Sequence, residues 1–130
     1  MKTDNLILDK SKVFAIRVIR LFQYLQAEKK EFIMTKQLLR SGTSIGANVR
    51  ESVYAQSDKD FRSKLKIALK ESSETAYWLE LLVATDYLTE QEFESIYNDC
   101  IEIIKILTSI INTNSKNNEN PQDNEDRKNY

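Results

Sequence analysis

The chain has no histidine, one cysteine, two glycines and one proline among 130 residues, and its formal net charge is only −1. Each scarcity excludes something. Without histidine there is no Ser-His-Asp or Cys-His catalysis and no Glu-x-x-His di-metal site of the kind built inside helical bundles. The lone Cys100 rules out an intramolecular disulfide and a cysteine-cluster zinc site. Three Gly and Pro residues cannot supply the frequent turns of a β-rich fold, so a few long helices are favoured. A near-zero charge makes no global demand for nucleic acid or acidic lipid. No segment approaches the ~18 uninterrupted apolar residues of a membrane span. The opening MKTDNLILDKSK lacks a sustained apolar stretch followed by a small-residue cleavage site. These absences lead us to expect a cytoplasmic, soluble protein with no membrane partner and no cofactor.

What is present is helical. Hydrophobic residues make up 41% and charged residues 30% of the chain, enough for a core and a solvated helical surface. Apolar residues recur at i, i+3, i+4 spacing in four segments. The first, about 6–29, carries Ile7, Phe14, Val18, Leu21, Phe22 and Leu25. The second, about 34–56, carries Met34, Leu38, Ile45, Val49 and Val53. The third, about 58–85, opens at a Ser57–Asp58 cap and carries Phe61, Leu65, Ala68, Leu69, Ser72, Ala76, Leu79 and Val83. The fourth, about 89–113, opens with Thr89-Glu-Gln-Glu92, a capping box. Its stripe is Phe93, Ile96, Tyr97, Cys100, Ile103, Ile104, Leu107 and Ile111. The predicted fold is all-α: an antiparallel up-down-up-down four-helix bundle over 1–113. Residues 114–130, rich in Asn, Asp, Glu and Lys and holding the only proline, read as a disordered polar tail.

Three features stand outside this framework. First, Lys59, Arg62, Lys66 and Lys70 fall within about 80° on the third helix, with Tyr77 continuing that side. Lys10, Arg17 and Arg20 share a side of the first helix with Tyr24. Cations beside aromatics can hold phosphates and stack bases, so Arg17, Arg20, Lys59, Arg62, Lys66 and Lys70 are nucleic-acid candidates. The competing reading is charge pairing between helices. The fourth helix is acidic at Glu90, Glu92, Glu94, Asp99 and Glu102, and without the three basic and four acidic residues of 114–130 the body holds 16 of each sign.

Second, Ile67, Trp78 and Leu81 project away from the core stripe of the third helix, bordered by Tyr77. Such a patch marks an interface, so these four are oligomer-interface candidates; a wider core is the alternative. Third, Arg40-Ser-Gly-Thr-Ser-Ile-Gly-Ala-Asn-Val-Arg-Glu51 places both glycines inside a helix, at about 1 kcal/mol each relative to alanine. Spaced four apart, Gly42 and Gly46 let another backbone approach closely. Arg40, Ser44, Asn48 and Glu51 flank the apolar stripe and read as a structural polar seam, with ligand or catalytic use as the lesser reading. Glu51, Glu71 and Glu74 lack the pattern of a metal site, and Cys100 sits in a core stripe as a small hydrophobe.

From Leu38 to Leu82 the chain also resembles a known family. An Arg-Ser-x-x-Ser-Ile-x-x-Asn-[Ile/Val]-x-Glu helix is met by Arg40, Ser41, Ser44, Ile45, Asn48, Val49 and Glu51. Phe-x-x-x-Leu-x-x-Ala follows at Phe61, Leu65 and Ala68. An acidic run before an aromatic-Leu pair follows at Glu71, Glu74, Trp78 and Leu79. These motifs resemble the proteins encoded in intervening sequences of bacterial 23S rRNA genes, and through them the accessory variability proteins of diversity-generating retroelements. The resemblance implies a four-helix bundle, a ring-like homopentamer, no enzymatic activity, and for the retroelement proteins a partnership with nucleic acid. The leading expectation is therefore a non-enzymatic oligomeric scaffold or accessory protein associated with RNA or DNA. The alternatives are a protein-interaction module whose partner is encoded nearby, and an enzyme working at Arg40, Asn48 and Glu51.

Overall fold

The computed structural model describes residues 2–117, with side chains from 6 to 115. Four helices follow one another: α1 (Lys2–Lys29), α2 (Met34–Val53), α3 (Asp58–Ala84) and α4 (Glu90–Asn117). Each packs on its neighbour in the chain, α1 closes on α4, and the diagonal pairs α1/α3 and α2/α4 stay apart. Short connections make this an antiparallel up-down-up-down bundle. α2 on α3 is the most extensive contact and α1 on α4 the sparsest.

The helix ends follow local chemistry. Ser57 Oγ accepts the Asp60 N–H at 3.0 Å and starts α3. At α4 the capping box forms as its sequence predicts: Thr89 Oγ1 accepts the Glu92 N–H at 3.1 Å, and Glu92 Oε1 accepts the Thr89 N–H at 2.9 Å. Just past the end of α3, Asp86 takes a left-handed φ of 68°. The Tyr87 N–H reaches Leu82 O at 2.9 Å and the Asp86 N–H reaches Val83 O at 3.2 Å, which satisfies two terminal carbonyls. Lys30 takes the same left-handed region after α1, at φ 53°.

The start of α2 has a cap the sequence did not announce. Glu31 is buried at 7% exposure. Its Oε1 accepts from the Ile33 and Met34 N–H groups at 3.1 and 3.0 Å, and its Oε2 accepts from Thr35 N–H at 2.8 Å. Thr35 Oγ1 returns a bond to Glu31 O at 2.9 Å. Burial pushes this carboxyl's pKa up, but the three backbone donors outweigh that and hold it below the usual 4.5.

The core holds the expected stripes, led by Phe14, Val18, Leu25, Leu38, Ile45, Leu65, Leu79, Ile103 and Leu107. Boundaries shift modestly. α1 starts at Lys2 rather than near 6. α2 stops at Val53 rather than 56, where bonds from Tyr54 to Glu51 and from Ala55 to Ser52 tighten its last turn. Val53, expected in the core, is 52% exposed because it sits on that last turn. α4 runs to Asn117, so the helix takes in the first residues assigned to the tail. The rest of that tail, 118–130, lies outside the described residues.

The internal glycines mark where α1 meets α2. A Cβ on Gly42 would stand 2.8 and 2.9 Å from the methyl carbons of Val18, which is fully buried. A Cβ on Gly46 would stand 3.3 Å from the main-chain oxygen of Ser11. Close approach is thus the reason for both glycines. Small polar residues fill the remaining tight places. Thr75 Oγ1 lies 2.9 Å from Ser41 Oγ, linking α3 to α2, and also bonds Glu71 O one turn back. Every buried side-chain nitrogen or oxygen among the described residues has a partner.

Candidate functional site

The outer face of α3 is the most distinctive surface. Lys59, Lys66 and Lys70 are exposed along it, and Arg62 is half-buried at its edge. The helical period brings these four together with Ser63 and Ile67 around one shallow depression. No described carboxylate lies within ion-pair distance of Lys59, Lys66 or Lys70. Arg62 turns toward α4 and donates to Asn114 Oδ1 at 3.2 Å. Tyr77 extends the strip at 53% exposure.

Arg17 and Arg20 do not join this strip. They lie on α1, diagonal to α3 across the bundle. Arg17 pairs with Asp99 of α4 at 2.6 Å and also bonds Ser95 Oγ and Ser95 O. Lys10 pairs with Glu102 at 2.7 Å. The charges of α1 and α4 therefore meet as helix-to-helix pairing. Arg17 is engaged within the fold, while Arg20 stays exposed beside Tyr24 in a groove floored by Leu21, Leu88 and Ile96. The sequence had flagged both partners of the Arg17 pair; only adjacency of α1 and α4 could join them.

The proposed interface residues divide. Ile67 is 40% exposed, and Tyr77 stands outward edge-to-face on Trp78 with ring centroids 5.4 Å apart. Trp78 is half-buried: its ring packs against the core and its Nε1–H donates to Glu74 Oε1 at 3.2 Å. Leu81 is half-buried too. Trp78, read from the sequence as projecting away from the core stripe, is an edge residue of a core wider than that stripe. A larger apolar set went unread on α1, where Leu6, Val13, Ile16 and Ile19 are 39–59% exposed. These residues flank the buried Ile7, Phe14, Val18 and Leu25 stripe of α1.

The polar seam lies between α2 and α3, and its side chains bond main-chain carbonyls and the α3 helix rather than one another. Arg40 crosses to α3, pairing with Glu71 at 3.2 Å and closely with Glu74. The hydrogen bond from Arg40 lowers the Glu74 pKa, and the same bond raises that of Arg40. Glu51 pairs with Lys64 at 3.2 Å. Ser44 and Asn48 bond backward to the carbonyls of Arg40 and Ser44 on their own helix. Glu71, Glu74 and Glu51 are therefore each matched to a cation, and no cluster of three metal-ligating side chains occurs among the described residues. Cys100 is fully buried, its Sγ 3.3 Å from Ser72 O, and burial pushes the thiol up to about 12. It is packing, with no thiolate at neutral pH.

The family model for the 23S rRNA-intervening sequence protein matches residues 3–109. Among solved structures, a protein of unknown function from the S23 ribosomal protein family of Bacteroides thetaiotaomicron is similar at 58% identity and a TM-score of 0.84. The match covers 85% of this chain and 98% of that one. No curated protein matches. No helix among the described residues is long and apolar enough to cross a membrane.

Proposed function

Because the chain belongs to the 23S rRNA-intervening sequence protein family, we propose that it is a cytoplasmic, non-enzymatic bundle that assembles as a homopentamer and serves as a scaffold or accessory protein for nucleic acid. The outer face of α3 carries this reading. Its lysines offer phosphate contacts without a described ion-pair partner, and Tyr77 offers a stacking surface beside them. Ile67 and Leu81 project toward the α2 side of the same helix, where a second subunit would cover them. A second reading, a protein-interaction module without nucleic-acid affinity and with a partner encoded nearby, gains weight from Arg17 and Lys10, whose charges α4 already balances.

Two measurements test the proposal. Sedimentation at micromolar concentration should give a pentamer for the wild type and smaller species for Ile67→Glu. An unchanged assembly in the folded variant removes the interface. Mobility shift with single-stranded RNA should show binding that weakens steeply with salt. Replacing Lys59, Lys66 and Lys70 by Gln should weaken it and remove up to three ~0.7 increments from the salt slope. No shift at low salt, with a protein partner that survives nuclease treatment, establishes the second reading instead.

A further inference from the structure

The lysine strip of α3 has a candidate occupant in the same chain. α4 runs antiparallel to α3, and the Arg62–Asn114 bond places the last turns of α4 beside the start of the strip. The segment that follows, 118–130, carries Glu119, Asp123, Glu125 and Asp126 before its first cation, Arg127. Four carboxylates thus follow α4 in the chain, and the strip beside its last turns holds three lysines without a described counter-charge. We propose that residues 119–126 dock across Lys59, Lys66 and Lys70 of their own chain as an acidic cover.

The reach suffices. Returning from Asn117 to the level of Lys70 takes about 17 Å: some 4.5 Å back to Asn114, then some 12 Å along α3 at 1.5 Å per residue. An extended chain spans about 3.3 Å per residue, so Asp123 reaches roughly 20 Å and Asp126 roughly 30 Å, which leaves room to cross the α3 flank. The charge pattern fits this direction of travel. Arg62 and Lys59 stand near the exit of α4, while Lys66 and Lys70 lie farther back, where the denser acidic group would arrive. The cations already paired suit the segment less. Lys10 and Arg17 are already matched by Glu102 and Asp99, Arg40 by Glu71 and Glu74, and Lys64 by Glu51. Each exposed pair is weak alone, but tethering makes successive pairs act at high local concentration.

This surface is the one assigned above to nucleic acid, so the cover would compete with that ligand, a consequence that rests on the earlier reading. The docking itself does not, and its test uses no nucleic acid. Full-length protein is acetylated briefly with an amine-reactive ester at low salt, and each lysine is quantified by mass spectrometry. The comparison is a variant with Glu119→Gln, Asp123→Asn, Glu125→Gln and Asp126→Asn. Modification of Lys59, Lys66 and Lys70 should rise roughly threefold in the variant, while exposed Lys12 and Lys36 stay level. The difference should vanish at about 0.5 M salt, where charges are screened within a few ångströms. Equal reactivity of the strip in both proteins overturns the proposal, as does an equal rise at Lys12 and Lys36. Carbodiimide cross-linking of mixed light and heavy isotopic chains tests the arrangement within one chain. Strip-to-tail links confined to single chains support it, and links joining light to heavy chains overturn it.

Discussion

Glu31→Gln is a nearly isosteric change that should cost more than most surface substitutions. The native carboxylate accepts three backbone N–H groups at the start of α2 from a buried position. An amide keeps one oxygen but turns an NH2 donor toward the remaining N–H, leaving it unsatisfied. Stranding a buried donor costs about 1–3 kcal/mol, and losing a negative charge at a helix N-terminus costs about 0.3–1 kcal/mol. The expected destabilisation is about 2 kcal/mol at pH 7, read by urea denaturation at one fixed protein concentration. The pH dependence adds a sharper criterion. The folded-state pKa lies below the ordinary 4.5, so the carboxylate's contribution is full above 4.5 and disappears as pH falls through the folded value. Once protonated, Glu31 resembles the glutamine, and the gap between the two proteins should close. A gap below about 0.5 kcal/mol at pH 7, or one that persists unchanged into strong acid, refutes the capping argument.

Gly42→Ala should destabilise despite improving helix propensity. The new Cβ meets the stiff, buried Val18 at 2.8 Å, and overpacking of about 1–3 kcal/mol exceeds the ~1 kcal/mol propensity gain. Adding Val18→Ala should recover part of the loss in the same denaturation assay. Asp86→Gly should stabilise by about 0.5–1 kcal/mol, because glycine enters the left-handed region at φ 68° without a Cβ clash. A lower midpoint for that variant contradicts the cap geometry. Cys100 should resist a disulfide reagent at neutral pH in the native protein and react on unfolding, given its burial and its thiol at about 12. Rapid native labelling would show that the core opens there.

Much of this fold was legible because helical period and capping chemistry are local. Thr89 and Glu92 announce α4 in four letters, and Gly42 and Gly46 announce a close contact without saying with what. The partner needed three dimensions: Val18 and Ser11 stand far from the glycines in the chain. Glu31 stayed hidden because a glutamate before a helix is not among the usual caps; it works here through its longer side chain, reaching forward from two residues before the usual cap position. On the candidate surfaces, the α3 strip was readable because its members share one helix. The fate of Arg17 was not, since Asp99 lies 82 residues away on a helix whose adjacency only the closed bundle reveals. Trp78 sits at the edge of the core because it faces the α2 side of α3, where its indole bonds Glu74, itself held by Arg40 from α2.

The sparse contact between α1 and α4 makes the bundle less a sealed cylinder than a row of four helices curled until its outer members touch. Across their seam run two half-exposed ion pairs, Lys10–Glu102 and Arg17–Asp99, whereas α2 and α3 share a deep, hydrogen-bonded interior at Ser41 and Thr75. Such a latch gives way first. Amide hydrogens of α4 around Ser95 to Glu102 should exchange through a partial opening that leaves α2 and α3 paired, and added salt should speed that exchange while those near Ser41 and Thr75 wait for global unfolding. A uniform salt response along all four helices would mean that the molecule opens only as a whole. If the latch does release alone, ionic strength becomes a control on how often the inner faces of α1 and α4 meet solvent.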